Sequence, residues 1–229
     1  MMSIPHFFAH YFPFIGPYKR KVKALIDTLL PPKSYSQHGE DMFIYEYLAK
    51  EKRLNGIYVD VGANHPSSIS NTYFFYRKGF SGLVIEPHDE LANLHRQFRR
   101  RDRVFEVGAG KESGIFEFNI SKTPVLNSFQ KIEGMNLWKT KYVPVLTLDI
   151  ITRFAEPEQI FLLTIDTEGL NYQVIQGAEQ TLAVTYLVCI EVDSPEEEAL
   201  ITEFLTRKHR FRKIKSMGCN RLFVNEAKL

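Results

Sequence analysis

From Leu54 onward the chain alternates short, nearly unbroken apolar runs with stretches of helical character. The runs are 57–61 (IYVDV), 82–86 (GLVIE), 103–107 (RVFEV), 160–166 (IFLLTID) and 185–192 (TYLVCIEV). Strands of this kind suit a parallel sheet covered by helices on both faces, because neither face meets water. Helices are expected over 70–78, 89–101, 171–181 and 195–207. The last opens Ser194-Pro195-Glu196-Glu197, which supplies an N-cap hydroxyl, a proline at the first helical position and a capping-box glutamate. Residues 210–216 and 220–225, joined through Met217-Gly218-Cys219, read as an antiparallel hairpin. Together these elements predict an α/β, doubly wound sheet, mostly parallel, with a C-terminal antiparallel hairpin.

Two segments break the rhythm. Residues 115–146 hold a β-like piece, a polar stretch through Asn127, Ser128 and Met135, and then Val143-Pro144-Val145. An insertion of that length is expected to be a mobile substrate cover. Residues 1–33 carry Phe7, Phe8, Tyr11, Phe12, Phe14 and Tyr18, followed by a basic cluster. Lys19, Arg20, Lys21, Lys23 and Lys33 against Asp27 give this leader a net +4 within a chain whose total is +2. Residues 34–229 then form one domain of nearly neutral charge. The small net charge speaks against a nucleic-acid coat. The leader suits peripheral contact with an anionic membrane or a partner protein, or a helix packed on the domain or on a second subunit of a homo-oligomer. Two cysteines at unrelated settings, Cys189 in an apolar run and Cys219 near the C-terminus, offer no metal-ligand spacing and read as reduced thiols. No run approaches the roughly 18 apolar residues of a spanning helix. No basic stretch precedes an apolar core at the N-terminus, so a cytoplasmic protein is expected, with membrane association through residues 1–33 as the alternative.

The chemistry is concentrated in Asp60-Val61-Gly62-Ala63-Asn64, directly after the first strand. A turn of small residues there lets backbone approach a ligand at the switch point of the sheet. The dinucleotide pattern G-x-G-x-x-G is absent, which leaves no pyrophosphate cradle. About 20 residues on, the second strand ends in Glu86, placed where an acid binds a ribose diol. A first-strand acid, a second-strand acid and no pyrophosphate glycines describe a nucleoside with a cationic or amino-acid end, and S-adenosylmethionine fits.

Four blocks in order resemble the FkbM family of S-adenosylmethionine-dependent methyltransferases, from Tyr35 to the C-terminus. They are Tyr35-Ser36-Gln37-His38-Gly39-Glu40-Asp41, similar to an SQxGED box; Val59 to Asn64, continuing into Ser70-Asn71-Thr72-Tyr73-Phe74-Phe75-Tyr76 and Gly79-Phe80-Ser81-Gly82; Ile85-Glu86-Pro87; and Ile165-Asp166-Thr167-Glu168-Gly169, similar to an IDxEG signature. The resemblance implies a Rossmann-like class I methyltransferase sheet with Gln37, Asp60, Gly62, Ala63, Asn64 and Glu86 at the cofactor. Pro66 stands where many members have glycine, so Ser70 and Thr72 are expected to supply hydroxyl donors to the methionine end instead. The resemblance also implies O-methylation. The SNTYFFY version looks most like members associated with bacterial surface polysaccharides and sugar nucleotides, so the expected acceptor is a carbohydrate or related small molecule.

A hydroxyl acceptor must lose its proton to a base or beside a metal. Asp166 and Glu168, at the carboxyl end of the fourth strand, are the candidates, with Glu191 and Asp193 ending the next strand on the same rim. Those acids would also suit Mg²⁺ or Mn²⁺. Glu168 has a second reading as a turn or capping residue before helix 171–181. His65 is either a substrate-facing base or a solvent-exposed loop residue. Two other functions stay open: N-methyl transfer on the same fold, and a non-catalytic S-adenosylmethionine-binding module.

Overall fold

The computed structural model describes residues 16–29, 33–121, 127–129 and 136–228. The phenylalanines of the leader and Met135 of the insertion lie outside the described residues.

The apolar runs become the strands of one seven-stranded sheet: β1 (Ile57–Val61), β2 (Gly82–Ile85), β3 (Arg103–Phe105), β7 (Ile160–Ile165), β8 (Thr185–Glu191), β9 (Phe211–Met217) and β10 (Asn220–Asn225). Their order is β3-β2-β1-β7-β8-β10-β9. β1, β2, β3, β7 and β8 run parallel, and β10 is antiparallel to both β8 and β9. The direction of the order reverses between β1 and β7, which creates the crevice in which α/β sheets of this kind bind ligands.

Alternation along the strands feeds two cores. Val59, Val61, Leu163, Ile165, Val188 and Ile190 face one side, where α5 (Leu148–Arg153), α6 (Asn171–Gln176), α7 (Glu179–Val184) and α8 (Pro195–Glu203) pack. Tyr58, Phe161, Leu187 and Cys189 face the other, against α2 (Glu40–Lys50) and α3 (Tyr73–Arg77). At about 25 cal/mol per Å² of apolar surface removed from water, these two faces supply most of the drive to fold.

The structure redraws several expected boundaries. α8 starts as expected, with Ser194 Oγ accepting from Glu197 N at 3.1 Å, and passes at Phe204 into a wider π turn. The expected helix 171–181 is two helices. A Cβ at Gly177 would lie 2.2 Å from the carbonyl oxygen of Gly110, so the chain must break there to let the backbones approach. Asp149 then caps the restart, accepting from Thr181 N at 2.8 Å. α4 (Asp89–Phe98) stops short of residue 101 because Arg99 turns inward and is fully buried.

The insertion is a β structure. β5 (Gly114–Ser121) and β6 (Leu137–Leu146) form an antiparallel pair, and β4 (Gly108–Ala109) pairs in parallel with β6. The chain thus leaves the main sheet after Phe105 and enters this second sheet at Gly108. α1 (Gly16–Leu29), from the leader, is docked on the domain. Ser67 Oγ donates to Asp27 at 2.7 Å, and Arg77 donates to the Thr28 carbonyl at 2.8 Å. Among the described residues no helix is long and apolar enough to cross a membrane.

Candidate active site

Two loops meet at the crevice. After β1 the chain turns at Gly62, with φ +73°, and Gly62 N donates to Ile85 O at 3.0 Å. After β7, Asp166 N donates to Val61 O at 3.0 Å. Two connected hollows open on this junction and share Gly62, Asn64, Leu91, Asp166 and Glu168. The inner one is narrow, about 60 Å³, and largely apolar, with Ile85, Ala109, Phe118 and Phe129 beside the carboxylate of Glu86. The outer basin holds about 520 Å³, within the range of roughly 300–1,000 Å³ usual for small-molecule sites.

Glu86 is 4% exposed. Its oxygens accept from Asn64 N at 2.7 Å and His88 N at 2.8 Å. Burial pushes its pKa up to about 7, although both N–H groups pull it down. Each carboxylate oxygen keeps a lone pair, so a ribose diol can still be accepted. Asn64, at φ +48°, also has its carbonyl held by His95 Nε2 at 3.0 Å. The donor set fits a nucleoside: a slot for a flat ring, an acid at its edge, and a close backbone turn leading to the outer basin.

At the mouth between the hollows, Asp166, Glu168 and Glu191 bring carboxylate oxygens within 4.8 Å of one another. β7 ends at Ile165, so strand alternation does not aim Glu168. A left-handed residue does: Glu168 sits at φ +51°, a conformation that costs a non-glycine residue about 1 kcal/mol or more. Asn171 fixes this loop, accepting from Thr167 N at 2.8 Å and from Thr167 Oγ1 at 2.9 Å, while Ser128 Oγ donates to the Glu168 carbonyl at 2.8 Å. The capping reading of Glu168 is not what the geometry shows, since α6 starts at Asn171 and its N-cap, Leu170, gives no side-chain cap; the turn reading agrees with the left-handed φ at Glu168.

Crowding of like charges sets the electrostatics here. Asp166 is held well above the ordinary carboxyl range by burial, by a shared hydrogen bond with Glu191 and by the neighbouring acids. Its Oδ1 is buried without a hydrogen-bond partner. Burial, Glu191 and Asp193 push Glu168 up to about 7, and burial, Glu191 and Glu197 push Asp193 to about 6. A group poised near 7 is suited to take a proton at neutral pH.

Other expected site residues lie elsewhere. Alternation along β1 puts Asp60 on the Tyr58 face, away from both hollows. There it accepts from Thr72 Oγ1 and sits 3.5 Å from Arg99, in place of the expected contact with the cofactor. Thr72 Oγ1 also accepts from Arg99 at 2.8 Å, and Ser70 Oγ accepts from Tyr73 N at 3.1 Å at the start of α3. Thr72 thus gives its only O–H to Asp60, and Ser70, buried and lining neither hollow, does not face a methionine tail. Ala63 lines neither hollow, and its N–H donates to Ile85 O at 3.3 Å.

His65 lines the outer basin, yet both ring nitrogens are engaged. Nδ1 accepts from Ser68 N at 3.1 Å, which leaves Nε2–H to donate to the Arg20 carbonyl at 3.0 Å. Burial keeps its pKa below the usual value. A histidine with no free lone pair does not serve as a base, so its role is to tie the loop to α1. Of the Tyr35–Asp41 box, only Gln37 reaches the outer basin. Asp41 accepts from Tyr35 N at 2.7 Å and Ser34 Oγ at 2.6 Å, and Glu40 accepts from His38 N at 2.8 Å and Asn220 at 2.9 Å. Both acids staple the entry of α2. Asn171 and the cations Lys19, Arg20 and Lys23 were not among the expected site residues. The last three line the outer basin, and only their bias toward one sign in the leader hinted at them.

The family description "Methyltransferase FkbM domain" matches residues 60–213. No curated protein sequence matches this chain. Among solved structures, a methyltransferase FkbM from Methylobacillus flagellatus KT is similar at 16% identity and a TM-score of 0.51, covering 74% of this chain and 43% of that one. A putative O-methyltransferase from Klebsiella pneumoniae is similar at 10% identity and a TM-score of 0.49, covering 96% and 94%. The chain thus spans less than half of the Methylobacillus protein, and that likeness bears on the fold.

Proposed function

The chain belongs to the FkbM methyltransferase family, and from that premise we propose that it moves the methyl group of S-adenosylmethionine to a hydroxyl of a sugar or sugar nucleotide. The observation that carries this reading is the convergence of Asp166, Glu168 and Glu191 where the inner slot meets the outer basin. When bound, the cofactor supplies a methyl group on a positively charged sulfur, open to in-line attack.

The residues divide that task. Glu86 would accept the ribose hydroxyls, and Ile85, Ala109, Phe118 and Phe129 would line the adenine in the apolar slot. Gly62 and Asn64 carry the backbone past the methionine portion, and Gln37 faces the same basin. The acids offer a negative surface to the sulfonium. Asp166 orients the acceptor hydroxyl through its unpartnered oxygen, and Glu168 takes the proton as the oxygen–carbon bond forms. Alignment of this kind is worth on the order of 7–11 kcal/mol, and a positioned base a further 10²–10⁴-fold.

The three carboxylates also suit a hard divalent ion. A methyl-transfer screen across sugar nucleotides, with and without Mn²⁺ and after exhaustive chelation, tests both versions. Transfer that survives chelation leaves Glu168 as the base. Transfer that needs Mn²⁺ assigns the acidification of the hydroxyl to the ion. Binding of S-adenosylmethionine without transfer to any hydroxyl would favour the binding module, and transfer to nitrogen the N-methyltransferase.

A further inference from the structure

The outer basin is bipolar. One wall is the acid cluster, and the other is α1, which presents Lys19, Arg20 and Lys23. α1 is tied to the domain in that position by His65 on the Arg20 carbonyl and by Ser67 on Asp27. Two of its cations are partly compensated, since Arg20 lies 3.4 Å from Glu90 and Lys23 pairs with Asp27. Lys19 has no ion pair among the described residues.

We propose that this basic wall binds an anionic phosphate or diphosphate of the acceptor, so that the acceptor lies across the basin with its phosphate on α1 and its reacting hydroxyl on the acids. The assignment rests on the methyl-transfer reading and narrows its acceptor to a phosphorylated carbohydrate. A neutral sugar gives three cations nothing to bind. The cofactor's amino-acid end carries its own ammonium and a single carboxylate, which one cation satisfies. A diphosphate uses several, and lysine and arginine are the side chains that hold one. The bipolar arrangement also fixes direction, because a molecule anionic at one end enters only one way round.

Calorimetry on the full chain tests the assignment with two probes, inorganic pyrophosphate and S-adenosylhomocysteine. Wild type is expected to bind pyrophosphate with an affinity that falls as salt rises. Lys19→Ala should weaken it about tenfold, Lys19→Glu further, and Lys19→Arg should restore it. S-adenosylhomocysteine should bind all four proteins alike, which also verifies that they are folded. No pyrophosphate binding, or binding indifferent to Lys19, overturns the proposal. A tenfold loss of S-adenosylhomocysteine affinity in Lys19→Ala overturns it too, by placing the cofactor carboxylate on α1. A wild type that binds pyrophosphate but not S-adenosylhomocysteine overturns the methyl-transfer reading first, and the assignment to an acceptor with it. In a vesicle arm, Lys19-dependent sedimentation with phosphatidylglycerol–phosphatidylcholine vesicles that pyrophosphate does not displace overturns it in favour of a lipid headgroup.

Discussion

A Cβ placed on Gly62 would lie 1.7 Å from the backbone carbonyl of Asp166. The loop after β1 and the loop after β7 are therefore in backbone contact, and the position of one fixes the position of the other. With φ at +73°, residue 62 is also in the left-handed region that favours glycine. Gly62→Ala is expected to destabilise the fold by more than about 2 kcal/mol and to abolish S-adenosylhomocysteine binding. Thermal denaturation and calorimetry check the two effects, and an unperturbed variant would mean that the loops are less tightly coupled.

The acid cluster predicts a pH profile. With Glu168 raised to about 7, kcat/KM should climb with pH and level off above that value, because the base works only when ionised. The apparent midpoint belongs to the coupled group of acids. Stability should move the other way. The folded pKa exceeds the ordinary value of 4.5, so ionisation disfavours the folded state and stability falls as pH rises through 4.5 to 7. Glu168→Gln should therefore stabilise the fold more at pH 8 than at pH 5, by on the order of 1 kcal/mol after solvent screening, read as a larger gain in melting temperature at pH 8. An equal gain at both pH values would contradict the shift.

Arg99 predicts where the fold is most fragile. Its fully buried guanidinium lies 2.7 Å from Asp102 and 3.5 Å from Asp60, and Asp102 also accepts from Tyr58 at 2.5 Å and Gly82 N at 3.0 Å. Arg99→Leu leaves both acids buried without their cation and should cost about 3–5 kcal/mol. Arg101→Ala, which loses an exposed stacking contact on Tyr76 at 3.9 Å and a hydrogen bond to the Tyr76 carbonyl, should cost only about 1 kcal/mol. Urea denaturation of the two variants measures the difference.

Some of this was legible in the residues and some was not. β7 and β8 could be read because both are buried on two faces, which leaves no polar alternation to confuse them. The site loops could be read because Gly62, Glu86 and Glu168 stand at strand ends. Asp60 was misplaced because its motif names the residue and not the face on which it lies; the partner that draws it, Arg99, is 39 residues away in the chain. The break at Gly177 depends on Gly110, and the β4-β6-β5 sheet on pairing across an insertion, and both are non-local. The basic wall was visible only as a charge imbalance until α1 was seen docked over the basin.

The proton's destination separates this mechanism most sharply from its rivals. Transfer of a labelled methyl group from S-adenosylmethionine to a phosphorylated sugar, by wild type, Glu168→Gln and Asp166→Asn, measures it directly. The expected product carries the label on oxygen. The expected losses in kcat are about 100-fold for Glu168→Gln and about tenfold or less for Asp166→Asn, which keeps its hydrogen bond, with S-adenosylhomocysteine affinity unchanged in both. Label on nitrogen, or a Glu168→Gln enzyme that keeps its rate, would contradict the assignment of Glu168 as the base.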